Sequence, residues 1–491
     1  MMKRERKVLS VNGGQSGEEL EATFEGDEIV VGHFELVLPC RVFDVEYKVA
    51  AEQKFQPSQE FFLRLVHSAP GIGRDQLASF FGFDAREVEF VIQDAESLGY
   101  AYEKDSRLYL SIAGKELFVS AKGEPRLFSV FRKSARVGFD LISLAPARRE
   151  RPAVRSLPEI GFPEDTSPGG ASKRVREEKL KLHFAELGLA RDEEGGQRNS
   201  LYSVDEVVAS EHFLETVPVH LKAKREAPSL ITPDLSEWRP DHEVADRLEI
   251  ERQVSSFVDT TRVLSREGQA GEAYGALLRI FPEYLKRFTS RGSLNVKRFW
   301  EYCCASERSV RANAKSIPVA GPLVAERNLV NLGEVVGYGL RAISEPLHLP
   351  RSYVWLAPQL EIWGASSAAA KANELVKAKI AERQSGIAEP EEVENLCIFP
   401  GQRHPFHLRD VFDTVESLAN PLWPRELELL LIPGVAVYAS VHAPIFVSLG
   451  FPTPVGVLSF DEAVVANARS YLLDHLKADS GKVVESFLGQ L

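Results

Sequence analysis

The sequence predicts an α+β multidomain protein, with an N-terminal region of strands and short helices, a central helical domain and a C-terminal α/β domain. Three observations predict it. The 491 residues suffice for about three domains at roughly 150 residues each. Between residues 58 and 118 the apolar spacing changes from helical to alternating and back within a short stretch. Beyond residue 346, short β-branched runs alternate with helical segments, the pattern of an α/β domain.

Composition narrows the class. With 44% hydrophobic and 26% charged residues, the chain reads as ordinary globular protein. Its net charge of -12 argues against a general nucleic-acid coat, though not against a local basic face. No apolar run reaches the roughly 18 residues of a membrane span. The charged start, Met1 to Lys7, has no apolar core behind it and is no secretory signal. Cys40, Cys303, Cys304 and Cys397 are scattered without metal-ligand spacing, so a reducing cytoplasm is expected and a structural metal is not. No Gly-x-Gly-x-x-Gly follows a strand and no Gly-Lys-Ser/Thr loop occurs, so no cofactor or P-loop chemistry is expected.

The elements follow in order. Residues 1–57 read as a β arm, with strands at Val8–Val11, Glu28–Val31 and Phe34–Tyr47, and with Pro39 as an edge position or a break. A first helix follows Pro57, with Ser58 as its cap and Phe61, Phe62, Leu65 and Val66 on one face. A second runs from Arg74 to Phe81 and stops at Gly82. Asp84 caps a third, whose stripe is Val88, Val91, Ile92, Ala95 and Leu98, and Gly99 ends it. Two strands then turn at Lys104–Arg107, and Ser111 opens a short closing helix.

This order of helix, helix-turn-helix, two-stranded wing and closing helix resembles the winged-helix domains of bacterial DNA-binding regulators, over about 60 residues. The resemblance implies that the third helix enters the major groove of double-stranded DNA. Its outward positions read as Arg86, Glu87, Glu89, Gln93, Asp94 and Glu96, one base against four acids, and carboxylates oppose phosphate contacts. Arg86, Gln93 and the wing residues Lys104 and Arg107 are the candidate contacts. The alternative is a winged helix that packs or binds protein.

Residues 122–155 hold nine bases and three acids, a formal net of +6, interleaved with Phe128, Phe131 and Phe139. Arg126, Arg132, Lys133, Arg136, Arg148 and Arg149 are candidate phosphate contacts in this strip, which the 58–145 winged domain would carry as an extension. The same arginines could equally pair with the chain's acidic excess. A strand is expected at Gly138–Leu144.

Residues 146–240 read as a Pro/Gly-rich linker with helices at Lys173–Leu187 and Leu201–Leu214 and a short strand at Val217–Leu221. Residues 241–345 read as a helical domain, with helices at Asp241–Arg266, Ala270–Phe288 (kinked at Pro282), Asn295–Ala305 and Glu307–Lys315. Gly333, Gly337 and Gly339 imply special backbone or close packing. In residues 346–491, strands are expected at Ser352–Ala357, Glu394–Phe399, Glu426–Ile432, Val435–Tyr438, Ala443–Leu449 and Pro454–Ser459, with helices at Ala365–Gln384, Leu408–Ala419 and Asp461–Lys477.

This C-terminal order also resembles, more faintly, the second half of a phospholipase D-like domain. His442 falls where that family's nucleophilic histidine would lie, but Pro444 stands at the lysine position and the chain shows no first His-x-Lys half. Arg403-His404-Pro405-Phe406-His407 with Asp410 forms a second polar cluster; His404, His407 and Asp410 suit a metal or a general base, or simply a polar loop. The leading expectation is a DNA-associated protein without its own catalysis, and by analogy of architecture a component of a multiprotein anti-phage defence or DNA-maintenance system. The alternatives are a nuclease or phosphodiesterase using His442, His404, His407 or Asp410, and a scaffold that binds protein partners.

Overall fold

One long strand, β1 (Glu28–Gln53), opens the computed structural model, which describes residues 28–53, 55–118, 125, 127–163, 171–190, 200–238, 248–265, 269–305, 314–344, 349–384 and 392–476. The expected strand Val8–Val11 and the candidate contact Arg126 lie outside the described residues. The expected break at Pro39 does not occur; the chain stays extended through it. The described elements fall into two compact units. The first comprises residues 40–149 and 166–213, and the second the remainder.

In the first unit, α1 (Pro57–Ser68) begins with proline at its first turn, where the missing N–H costs nothing. Gln56, not Ser58, is its N-cap residue. Phe62, Leu63 and Val66 are buried, whereas Phe61, expected inside, is 52% exposed. A two-residue strand, β2 (Ile72–Gly73), leads into α2 (Arg74–Phe81), which Gly82 ends at φ 70°. Asp84 caps α3 (Ala85–Ser97): its carboxylate accepts from the backbone N–H groups of Arg86 and Glu87, while Glu87 reaches back to the Asp84 N–H. Such a cap contributes about 1 kcal/mol. Strands β3 (Ala101–Lys104) and β4 (Arg107–Leu110) join through Asp105 and Ser106, both at positive φ, and β2 completes a three-stranded sheet in the order β2-β4-β3. The Ser111 hydroxyl accepts from Gly114 N–H and caps α4 (Ile112–Glu116). Phe62, Leu77, Val88, Val91, Ile92 and Leu108 form the core beneath these elements.

Strand β5 (Leu127–Asp140) starts and ends earlier than the expected Gly138–Leu144. It pairs antiparallel with β1 from Cys40↔Asp140 to Gln53↔Leu127. This ladder begins just after Pro39, so the proline's lost donor breaks no bond in it. Helix α5 (Lys173–Leu182) is shorter than expected, and Leu180 and Phe184 bury against Phe43, Tyr47 and Phe139. The largest correction concerns the expected linker. Residues 200–224 form β6 (Ser200–Lys224), one 25-residue strand, where a helix was expected at Leu201–Leu214. Leu201, Val204, Val207 and Val208 sit at helical spacing, but β-branched valines suit a paired strand, and sheet context decides.

The second unit contains the end of β6 from residue 214, where Val217, Val219, Leu221 and Ala223 alternate inward, and its partner β7 (Ala227–Asp234). Residues 241–247 lie outside the described residues, and helix α6 (Leu248–Thr260) ends short of the expected Arg266, since residues 261–265 are described and leave the helix. It is followed by β8 (Val263–Leu264) and α7 (Gln269–Ile280), which stops before Pro282 instead of kinking at it; Pro282 starts α8 (Pro282–Leu285). A 3-10 turn at Lys286–Phe288 leads to a small hairpin of β9 (Thr289–Ser290) and β10 (Ser293–Leu294), then to α9 (Val296–Cys304). The expected helix at 307–315 lies largely outside the described residues.

Next come β11 (Ser316–Ala320), α10 (Glu326–Ala342), β12 (Ser352–Leu356), α11 (Ser367–Gln384), β13 (Glu394–Pro400) and α12 (Leu408–Val411). Then β14 (Thr414–Leu418), β15 (Leu427–Ile432), β16 (Ala436–Ala443), β17 (Leu449–Gly450), β18 (Thr453–Ser459) and α13 (Glu462–Leu476) complete the unit. Seven of these strands form one mixed sheet in the order β11-β18-β16-β15-β12-β13-β14, so the sheet extends across the boundary expected near residue 345. Strands β12, β15, β16 and β18 are buried throughout, as strands covered on both faces are. Two expectations fail here. The helix expected at Leu408–Ala419 is one turn followed by β14, because the Asp413 carboxylate and the Asn395 amide exchange hydrogen bonds with each other's backbone N–H and draw the chain onto the sheet. The strand expected at Ala443–Leu449 is mostly loop, with Phe446 at φ 62°.

Candidate functional site

Helix α3 turns 100° per residue, and Val88, Val91, Ile92 and Ala95 fix which side faces the core. The opposite side is therefore a ridge of Arg86, Phe90, Gln93 and Ser97, all four exposed, with Phe90 at 66%. The acids expected on this face stand on its flanks. On one flank, Arg74 on α2 donates Nη2 to Glu103 Oε2 at 2.6 Å and also pairs with Glu89 through Nη1. These guanidinium bonds hold the carboxyls of both Glu89 and Glu103 below their ordinary range. Glu96 accepts from the Glu103 N–H at 3.0 Å. On the other flank, Gln59 of α1 donates to Asp94, and Glu87 serves the capping box. The ridge thus presents one cation and one aromatic ring, beside an amide whose Nε2 donates to Glu89 at 2.7 Å and a hydroxyl that donates to the Asp94 carbonyl at 2.8 Å. Phe90 and Ser97 escaped the sequence reading. Projecting the helix against its buried stripe, rather than counting polar residues, would have found them.

Lys104 and Arg107 flank the two-residue turn of the β3–β4 hairpin, and both are exposed; Arg107 also reaches the Gly71 carbonyl at 3.4 Å. The basic strip is used internally. Arg136 pairs with Asp44 at 3.2 Å and with Glu211 at 3.3 Å, Arg149 with Glu211 at 2.8 Å, and Arg132 stands 3.8 Å from Asp205. Lys133 and Arg148 are not free either. Guanidinium neighbours keep the Glu211 carboxyl below its usual range. The first half of β6, where a helix was expected, supplies Asp205 and Glu211.

The C-terminal histidines do not converge. His442, on β16, is buried; its Nε2 lies 2.6 Å from Glu428 Oε2, which also accepts from Ser440 Oγ at 3.1 Å, while Glu428 Oε1 accepts from Trp355 Nε1 at 3.0 Å. Three donors around one buried carboxylate satisfy it fully. Beside this cluster is an apolar cavity of about 60 Å³, lined among others by His33, Phe34, Trp363 and Phe451, which is far too small for a nucleotide. On another side His442 borders an open cleft of about 390 Å³ with Gln359, Arg425 and Pro444. His407 is buried and bonds the Trp363 carbonyl at 2.9 Å, and burial holds it below the usual histidine range. His404 lies 3.5 Å from the Arg409 guanidinium, and Asp410 accepts from the Arg155 N–H at 2.7 Å. The loop's three candidates therefore serve separate local partners.

Among the described residues, no group of three His, Cys, Asp or Glu side chains could hold a metal ion, and no helix is long and apolar enough to cross a membrane. Comparisons with protein-family models, with curated proteins and with solved structures found no match to this chain.

Proposed function

We propose that this protein binds double-stranded DNA through a winged-helix unit formed by α1 to α4 with β2 to β4. The observation that carries the reading is the Arg86–Phe90–Gln93–Ser97 ridge: among the described residues Arg86 and Phe90 stand clear of the carboxylates that Arg74 and Gln59 engage on its flanks, while the Gln93 amide donates to Glu89 at 2.7 Å and would exchange that bond for a base edge. An arginine suits guanine O6 and N7, a glutamine suits adenine N6 and N7, and an apolar ring suits the thymine methyl, all in the major groove. Lys104 and Arg107 at the hairpin turn would meet phosphates, fixing orientation and not sequence. The strip residues Arg132, Arg136 and Arg149 contribute less, since their charge is already balanced.

The same reading assigns no catalysis to His442, whose ring is held by Glu428. A mobility-shift titration on random-sequence and selected duplexes, at about 50 and 200 mM salt, tests both points. Arg86→Ala combined with Gln93→Ala should weaken binding to a selected duplex by tenfold or more, at about 1–3 kcal/mol for each lost base contact. Lys104→Ala combined with Arg107→Ala should lower the salt slope by about 2. No shift at the lower salt would refute DNA binding. Cutting of the duplex that disappears in His442→Ala would refute the non-catalytic assignment.

A further inference from the structure

The strongest unassigned surface lies in the second unit, on the segment from α8 to the first turn of α9. Between Tyr284 and Trp300 the chain carries five bases, Lys286, Arg287, Arg291, Lys297 and Arg298, and no acid, within a protein of net charge -12. All five are exposed. Among the described residues none of them pairs with a carboxylate, in contrast to the balanced arginines of β5.

The fold gathers these charges. Strands β9 and β10 pair at Ser290↔Ser293 and Thr289↔Leu294, and the Asn295 N–H bonds the Phe288 carbonyl at 2.8 Å, so the segment folds back on itself. Phe288 packs on Phe299 and Tyr302, which fixes the 3-10 turn against α9. Arg287 lies over three rings, 4.7 Å from Tyr284, 4.9 Å from Phe288 and 4.4 Å from Tyr302, so its guanidinium plane is set in advance. Arg291 occupies the tip of the hairpin at φ 51°, followed by Gly292 at φ 83°. That left-handed position favours asparagine or glycine, so a long cationic side chain there comes at a conformational cost.

What surrounds the charges selects the ligand. The exposed neighbours are Thr289, Ser290, Ser293 and Asn295; the Thr289 and Ser293 hydroxyls donate to the Lys286 and Ser290 carbonyls, which leaves the Ser290 hydroxyl and the Asn295 amide as donors of the kind that meet phosphate oxygens. Of the apolar residues of the segment, Leu285, Phe288, Leu294, Phe299 and Trp300 are buried and Val296 is half-buried. A surface that inserts into a lipid headgroup layer exposes apolar side chains beside its lysines and arginines, and this one does not. The geometry points to a second nucleic-acid contact: a surface that holds the phosphodiester backbone without reading its bases. This inference does not depend on the role of α3.

The test uses the full chain with four exposed positions neutralised together, Lys286→Gln, Arg291→Gln, Lys297→Gln and Arg298→Gln. Arg287 is kept because it packs on rings. Thermal melting verifies the fold, and a single Arg291→Gln replaces the set if the quadruple variant melts early. Binding to duplex and to single-stranded DNA is titrated against salt, beside the Arg86→Ala, Gln93→Ala variant. Each lost phosphate contact should reduce the slope of log affinity against log salt by about 0.9 on duplex and about 0.7 on single strands. The quadruple variant should therefore lose about 3.6 in slope on duplex and about 2.8 on single strands, and the single variant about 0.9 and about 0.7. A variant slope equal to that of the unmodified chain on both DNAs overturns the inference. So does uptake by phosphatidylserine vesicles that needs the four cations while DNA affinity does not. If neutralisation weakens binding and the α3 variant binds normally, the α3 reading fails and this one stands; the reverse result leaves α3 and removes this surface.

Discussion

Replacing Glu428 by alanine probes the most demanding polar arrangement in the second unit. The side chain is 2% exposed and is the acceptor for Trp355 Nε1–H, Ser440 Oγ–H and His442. Its removal strands three buried donors, and each unsatisfied buried group costs about 1–3 kcal/mol. Three such groups together set a range of about 3–9 kcal/mol, and we take about 4 kcal/mol as the expected loss. Ser440 can rotate and His442 can shift its proton to the other ring nitrogen, which keeps the sum below the upper limit. Glu428→Gln preserves the volume and one acceptor and should cost about 1–2 kcal/mol. Urea unfolding followed by tryptophan fluorescence is a suitable assay, because Trp355 reports on this cluster directly. If Glu428→Ala shifts the unfolding free energy by less than about 1 kcal/mol, the carboxylate is not the acceptor that the geometry describes.

Other predictions rest on separate features. In α10, a Cβ on Gly339 would lie 2.2 Å from the Val435 carbonyl oxygen, whereas one on Gly337 would meet nothing closer than the Arg341 guanidinium at 3.7 Å. Gly339→Ala should therefore destabilise by about 1–3 kcal/mol, and Gly337→Ala should stabilise by about 0.5–1 kcal/mol; equal signs in a denaturation series would contradict this packing. Glu89 and Glu103 have folded-state pKa values lowered by Arg74. Their stabilisation is complete above the ordinary glutamate range and is lost as pH falls through the lowered values. The melting temperature should thus fall on acidification below about pH 4.5, and less steeply in Arg74→Met, a difference that an acid melting series would reveal. Burial pushes the Cys304 thiol up to about 12 and raises Cys303 and Cys397 well above the usual range. A thiol reagent at neutral pH should label the folded protein slowly and the urea-unfolded protein quickly.

Local chemistry made part of this molecule legible in advance. Gly82, Asp84, Gly99 and Ser111 marked helix ends between residues 57 and 118, because caps and left-handed turns depend on a few adjacent residues. Apolar runs likewise located β12, β13 and β15. Where the competing signal came from distant chain, local reading failed. Val204, Val207 and Val208 fit a helix until β6 takes its place in a sheet, and Thr414–Leu418 becomes a strand because Asp413 is tied to Asn395.

The candidate surfaces divide the same way. By itself the sequence determined where α3 begins and ends, which of its residues form the core stripe, and that basic residues concentrate in 122–155 and 284–300. Only the tertiary structure decided which charges remain available. Arg74 and Gln59 engage the acids on the flanks of α3, Asp205 and Glu211 balance the arginines of the strip, and the segment 284–300 leaves its five cations exposed. The physical reason is that a charge's effect on a partner depends on its nearest counter-charge, and these counter-charges come from residues brought close by folding.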